Sequence, residues 1–306
     1  MNRREFLGCL AVGSAWLPLG MPSFAGTTPI HERLGVNLWT VRKRLESDLR
    51  GIVHGLAKIG LREAEVVNWA GRPLDDLITA LRDVGIDPVG VHFEDAIITG
   101  NWDLWGDPEI TARASEYGIE YAIDIAVEQD LRYLGIAYLF PSEREGLDSY
   151  KRLADSMNAA GERCNAAGVR FFYHNHAFEF EPMDGQMPFD LLMERADPAL
   201  VGFELDVCWA SVGGVDPVHL LRTYSDRIEM LHVKDRTAAV DVMYDVEDIV
   251  PDSQTEVGSG ALDFHAILTA ASAAGVKHYF VEQDFISGDE LESLDRSVSY
   301  LRELGI

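Results

Sequence analysis

Along this chain, short stretches in which apolar residues run together or alternate with polar ones are followed, again and again, by stretches with apolar residues three and four positions apart. The first kind reads as buried strand and occurs eight times, near Leu34–Trp39, Arg62–Val67, Asp87–His92, Leu134–Phe140, Val169–His174, Val201–Asp206, Arg227–His232 and Lys277–Glu282. The second reads as helix over Asp48–Ile59, Leu74–Val84, Ser149–Ala167, Pro217–Tyr224, Phe264–Ala274 and Leu291–Leu304. Gly60, Gly85, Gly168 and Gly275 each follow such a helix directly, where a residue tolerant of left-handed backbone stops it. Strand and helix recurring at intervals of roughly 25 to 45 residues predict repeated βα units. The chain has 306 residues, enough for one large core. The expected fold is therefore α/β, a single-domain (β/α)8 TIM barrel.

Two intervals depart from this rhythm. Asn101–Leu131 is long, with Trp102, Trp105 and Pro108 early and a helical pattern around Ile110–Tyr117, so two short helices are expected there. Arg236–Gly260 is acidic, too long for a plain connection, and ends in EVGSG; loops of that length are often functional. The N-terminus has a different logic. Arg3 and Arg4 precede an apolar run from Phe6 to Leu19, and Ser23-Phe24-Ala25 suits cleavage before Gly26. This resembles a twin-arginine export signal over residues 1–25, which places the barrel at 26–306 and the mature protein in the periplasm. The run is short and carries Gly8 and Gly13, which argues against a spanning helix and against stable membrane insertion of the mature chain. Beyond the signal only Cys164 and Cys208 remain, both expected as packed thiols.

The apolar stretches end in polar groups, and this is where chemistry is expected. In a barrel of this type the site lies at the C-terminal ends of the strands. Asn37, Trp39, Glu65, Asn68, His92, His174, His176, Asp206, His232 and Glu282 all fall at or beside such ends. A mixture of carboxylates and imidazoles suits Mn²⁺, Fe²⁺, Co²⁺ or Zn²⁺ better than Ca²⁺. Taken singly, each has a plain reading: Asp206 as a helix cap, Glu282 in an ion pair, a histidine bonded to backbone. Taken together they point to a metal centre. His219 and His265 lie inside helical patterns and read as structural.

Charge narrows the partners. With 26 basic and 51 acidic residues the net charge is −25, which repels phosphate backbones and anionic membrane surfaces and excludes nucleic acid as a partner. The loop after the seventh strand carries Asp241, Asp245, Glu247, Asp248, Asp252 and Glu256 rather than cations. A phosphorylated substrate would want Arg, Lys or a helix N-terminus, so an unphosphorylated one is expected.

The segments LGVNLWTVR, YHNHAFEF, LDVCWA, VDPVHLL, HVKD, EVGSGALDF and HYFVEQD, in this order from about Leu34 to Leu301, together resemble the sugar isomerase/epimerase superfamily of xylose-isomerase-like barrels. The resemblance implies one divalent metal ion held by a carboxylate after strand five, Asp206, His232 and Glu282. It departs at strand five, where His174-Asn175-His176 stands in place of Glu-Asn and the first carboxylate is Glu179. Either Glu179 reaches back as fourth ligand or one of the two histidines replaces it; Glu179 is the expected ligand, since a third carboxylate keeps the site hard and anionic. The implied reaction is isomerisation or epimerisation of a neutral keto sugar, the ion polarising the carbonyl while a base moves a proton through an enediolate. His174, His176 and Glu282 are the candidate proton carriers. Lys234 would stabilise the enolate or touch a hydroxyl, its plain alternative being an ion pair with Asp235 or another local carboxylate. Asn37, Trp39, Glu65, His92 and Trp209 are the expected substrate contacts, the two indoles offering apolar faces to a sugar ring. Two alternatives stand beside this: a lyase or dehydratase acting on a 3-keto-glycoside or inosose, and a carbohydrate-binding barrel without chemistry.

Overall fold

The structure is a computed structural model that describes residues 29–68, 73–106, 108–112, 116–238, 241–248 and 251–306. The export signal expected over residues 1–25 lies outside them. Eight parallel strands close on themselves: β1 (Gly35–Asn37), β2 (Glu63–Val67), β3 (Asp87–Phe93), β4 (Tyr133–Ile136), β5 (Arg170–His174), β6 (Val201–Asp206), β7 (Ile228–Val233) and β8 (His278–Val281). Closure is made by β1 against β8, with Gly35 opposite Phe280 and Val36 opposite Val281. The surrounding helices are α1 (Leu49–Ile59), α2 (Asp75–Asp83), α3 (Ile119–Glu128), α4 (Leu147–Ala166), α5 (Pro188–Arg195), α6 (Pro217–Thr223), α7 (Phe264–Ala273) and α8 (Glu290–Leu304). The expected single-domain (β/α)8 barrel is the observed fold.

Local signals explain the helix boundaries. The side chains of Asp48, Asp263 and Asp289 accept from backbone N–H groups in the first turns of α1, α7 and α8, satisfying donors that the helix leaves open. Gly60, Gly85, Gly168 and Gly275 all have positive φ. Where a helix is expected around Ile110–Tyr117, a short one runs over Pro108–Ala112, and the barrel helix of that repeat begins later, at Ile119. Gly118 opens it with an extended backbone, so the repeat's apolar face is laid down by Ile119, Ala122, Ile123 and Ala126.

Two buried apolar regions result from the alternation of strand side chains. The larger lies between strands and helices; a smaller one of Val89, Tyr133, Phe172, Met230 and Phe280 fills the barrel itself. Gly135 makes room there, because a Cβ on it would come 2.6 Å from both the ring and the carbonyl oxygen of Phe172. Beside this plug, Glu229 accepts from Tyr133 Oη, Arg170 Nε and Lys277 Nζ at 3.1, 2.8 and 2.7 Å. Above it the barrel turns polar.

The segment after β7 is organised by one carboxylate. Asp235, buried, accepts from the backbone N–H groups of Arg236, Gly258, Gly260 and Leu262 at 2.9 to 3.2 Å. Asp235–Arg236 also pairs antiparallel with Gln254–Thr255. Between these anchors the chain crosses the mouth of the barrel, where buried Arg144 holds Asp245 and Glu247 at 3.3 and 3.2 Å. Cys164 and Cys208 are both buried and unbridged. Among the described residues, no helix is long and apolar enough to cross a membrane.

Candidate metal centre

Because successive strand residues face opposite sides, residues two apart on β6 and β7 look into the barrel in layers. Glu204 and Asp206 on β6, then His232 on β7 and Lys234 just after it, therefore stack toward the C-terminal mouth. Four ligand atoms, one each from His174, Asp206, His232 and Glu282, lie within 4.8 Å of one another, all on buried residues. His232 Nδ1 sits 2.9 Å from His174 Nε2, 3.0 Å from Glu282 Oε2 and 3.8 Å from Asp206 Oδ2. Asp206 divides its oxygens: Oδ1 accepts the Trp209 N–H at 2.8 Å and caps the turn Val207–Val212, while Oδ2 faces the cluster. The cap foreseen for Asp206 is thus present, and it leaves the second oxygen facing the cluster. Asn175 fixes the ends of β5 and β6 together, its side-chain oxygen accepting from Asp206 N at 3.1 Å.

Lys234 is fully buried with its ammonium 2.6 Å from Glu282, 2.8 Å from Asp284 and 3.0 Å from Asp206. It does not pair with Asp235, whose oxygens are taken by backbone. Burial works against the charge on Lys234, but the three carboxylates outweigh it and hold its pKa well above the ordinary value. The same contact holds Asp206 and Glu282 well below the usual carboxylate range against burial. Asp284 was not foreseen; it follows the strand-eight Glu by two residues, and that spacing was the available signal. Gln254 Nε2 also donates to it at 2.6 Å, tying the long loop to the site.

Glu179 is not brought into this cluster. Its Oε1 accepts from Tyr173 Oη at 2.5 Å and its Oε2 from the His176 N–H at 2.9 Å. Both oxygens are thereby turned behind the strand, and burial pushes the carboxyl up to about 8. His174 stands in the place expected for that carboxylate. The two histidines of strand five separate: His174 joins the four-donor group, whereas His176 stacks on Phe178 and lies 5.5 Å, centroid to centroid, from Trp209. His176 Nδ1 is buried without a hydrogen-bond partner. Burial, then neighbouring His174 and Lys234, hold this imidazole well below its ordinary pKa.

A cavity of about 440 Å³ opens onto these groups. Asn37, His92, His174, His176, Lys234 and Glu282 are among the residues on its polar side, and Trp39, Phe93, Trp105, Tyr138, Trp209 and Phe285 supply aromatic walls. Arg42 also faces it, with its guanidinium over Trp39 at 4.1 Å and its Nη atoms donating to the backbone carbonyls of Trp39 and Asp284. Trp105, Tyr138 and Phe285 come from loops that alternation does not read. Glu65 is deeper: its Oε2 is 2.7 Å from His232 Nε2, 2.8 Å from Asn37 Nδ2 and 2.9 Å from His92 Nε2. It is fully buried beneath the cavity floor rather than placed at the wall with the substrate contacts. Burial opposes the charge on His92, but Glu65 and Glu204 raise its pKa to about 9.

Residues 54–304 match the family described as the xylose isomerase-like TIM barrel. The chain belongs to this family. It is a family of sugar-processing enzymes. An inosose dehydratase of Geobacillus kaustophilus (strain HTA426) is 34% identical over 127 residues, 38% of this chain and 39% of that protein. The chain therefore spans about two-fifths of the length of that curated relative. Among solved structures, a sugar phosphate isomerase/epimerase from Parabacteroides distasonis ATCC 8503 superposes with a TM-score of 0.72 at 24% identity, covering 91% of this chain and 95% of that one. The IolI protein with a bound zinc atom superposes with a TM-score of 0.62 at 17% identity, over 89% and 96% of the two chains. At these identities the superpositions speak to the fold.

Proposed function

We propose that this family member is a divalent-metal-dependent enzyme that removes a proton from the carbon beside the carbonyl of a neutral keto sugar or inosose. The observation that carries this reading is the four-donor cluster of His174, Asp206, His232 and Glu282 at the floor of a cavity that also holds an unpaired imidazole, His176. Two imidazoles and two carboxylates fit Zn²⁺, Mn²⁺, Fe²⁺ or Co²⁺, and Asp206 Oδ2 and Glu282 Oε2 are buried without a well-formed hydrogen bond. When bound, the ion would polarise a carbonyl and so acidify the neighbouring C–H.

The chain's own residues do the rest. His176, which lines the cavity with its ring stacked on Phe178, accepts the proton. Lys234 keeps Asp206 and Glu282 in register and presents an ammonium beside the reacting oxygen. Trp39 and Trp209 stack the ring and exclude water. A neutral substrate is supported by the cations facing the cavity, since Arg42 and Lys234 are already engaged by backbone carbonyls and carboxylates.

Proton removal opens two courses. Return of the proton at another position gives isomerisation or epimerisation. Loss of a β-hydroxyl gives dehydration, and this second reading is favoured by the inosose dehydratases among the relatives. The test is to incubate the metal-loaded protein with neutral keto sugars and inososes in D₂O. Solvent deuterium in recovered sugar supports proton transfer, and an unsaturated product assigns dehydration. His176→Asn should keep the metal and lose exchange; exchange at the wild-type rate in that variant would remove His176 from the role. The export reading also stands as a proposal: replacing Arg3 and Arg4 by Lys should retain the protein in the cytoplasm, and an unchanged periplasmic yield would refute it.

A further inference from the structure

His232 faces two clusters, one with each ring nitrogen. Its Nδ1 belongs to the group described above. Its Nε2 lies 2.7 Å from Glu65 Oε2 and 3.2 Å from Glu204 Oε2, and His92 Nε2 lies 2.9 and 3.1 Å from the same two oxygens. These four atoms are mutually within 4.8 Å and all four residues are buried. The cluster therefore sits one layer deeper in the barrel, on β2, β3, β6 and β7.

Its hydrogen bonding is incomplete in a particular way. Neither oxygen of Glu204 has a hydrogen-bond partner, nor does Oε1 of Glu65. His92 Nε2 has none either, despite two carboxylate oxygens at contact distance. The imidazole nitrogen therefore stands at contact distance from both oxygens without making a hydrogen bond to either. A buried carboxylate with no hydrogen bond is costly, and a cation between the donors is what relieves it.

We propose that Glu65, His92, Glu204 and the Nε2 side of His232 form a second divalent-cation site, with His232 bridging it to the first. Two carboxylates and two imidazoles again suit Zn²⁺, Co²⁺, Mn²⁺ or Fe²⁺. A neutral imidazole has one lone pair, so with one ion bound the proton stays on Nε2 and is donated to Glu65. Filling the deeper site displaces that proton to solvent. This inference rests on the reading of the upper cluster only through the shared His232.

The test is equilibrium dialysis of the metal-free full chain against Co²⁺, with bound metal counted by elemental analysis. Wild type should take up two ions per chain. Glu204→Gln should take up one at the same free Co²⁺, its second affinity falling at least tenfold, and Asp206→Asn should also retain one. His92→Gln serves as a second probe of the deeper site should Glu204→Gln fail to fold by circular dichroism. A wild type that saturates at one ion, lost in Asp206→Asn and kept in Glu204→Gln, overturns the second site and leaves the proposed function standing. One ion lost in Glu204→Gln and kept in Asp206→Asn upholds the deeper site and removes the upper one. Binding of none overturns both.

Discussion

Replacing Lys234 by Met removes a buried ammonium while keeping most of its stem. The structure gives it three carboxylate partners at 2.6 to 3.0 Å with no exposure on the lysine itself. At an effective dielectric of 20, each contact is worth roughly 6 kcal/mol of bare attraction. Desolvation of the four charges cancels most of that sum, and deleting one partner from a buried pair costs about 3 to 5 kcal/mol. Three carboxylates left facing one another place the expected loss at the upper end of that range, which lowers the melting temperature of a chain of this size by roughly 8 to 10 °C. The assay is guanidinium denaturation of wild type and variant in EDTA at neutral pH. Two further arms sharpen it. Lowering the pH should narrow the difference, because Asp206 and Glu282, held low in the wild type, take up protons when the ammonium is gone. Added divalent metal should narrow it too, by supplying positive charge at the same oxygens. A variant within about 1 kcal/mol of wild type in EDTA would refute the account, since it would mean that water reaches the cluster and screens it.

Three other outcomes are expected. His174→Ala, Asp206→Ala and Glu282→Ala should each lose the ion of the upper cluster and His232→Ala the ions of both, whereas Glu179→Gln should keep them; elemental analysis of the set checks this, and loss of the upper ion in Glu179→Gln would return that residue to the ligand set. The Glu179 carboxyl is raised to about 8 from an ordinary value of about 4.3, so its contribution to stability is fully present below the ordinary value and lost as pH rises through about 8. Wild type should therefore be less stable at pH 9 than at pH 5 by on the order of 3 kcal/mol from this group, and denaturation curves of Glu179→Gln should lack that increment. Gly135→Ala should destabilise by at least about 1 to 3 kcal/mol, because its Cβ meets the Phe172 carbonyl, which cannot step aside; Gly118→Ala, with nothing within 4 Å of its Cβ, is the control in the same melts.

Much of this architecture is legible in the chain because a parallel barrel is buried on both faces and writes its strands as apolar runs. β6 is bounded as the sequence reads it, Val201 to Asp206. β4 ends earlier than its composition suggests: Tyr138 and Phe140 continue the apolar run but have left the sheet, Tyr138 to wall the cavity, and Trp105 packs edge-on against both. α5 escapes notice because it is two turns long and begins at Pro188. At the site, Asp206, His232 and Glu282 end strands and are visible one strand at a time. Glu204 was equally available, two residues before Asp206 and on the same face, but it sits inside an apolar-looking run. Glu179 could not be placed from the sequence, because what turns it away is the hydroxyl of Tyr173, on the outward side of a strand whose inward side carries His174.

The carboxylate of Asp235 gathers the two ends of the segment that crosses the mouth into one knot. Whatever length of chain runs between Arg236 and Gly258 enters and leaves at a fixed point. Residues 241–248 can be exchanged without disturbing this knot or the contact of Gln254 with Asp284 that reaches Lys234. This makes the segment an interchangeable cassette, in which a descendant of this barrel can alter what reaches the metal centre while inheriting the centre itself unchanged.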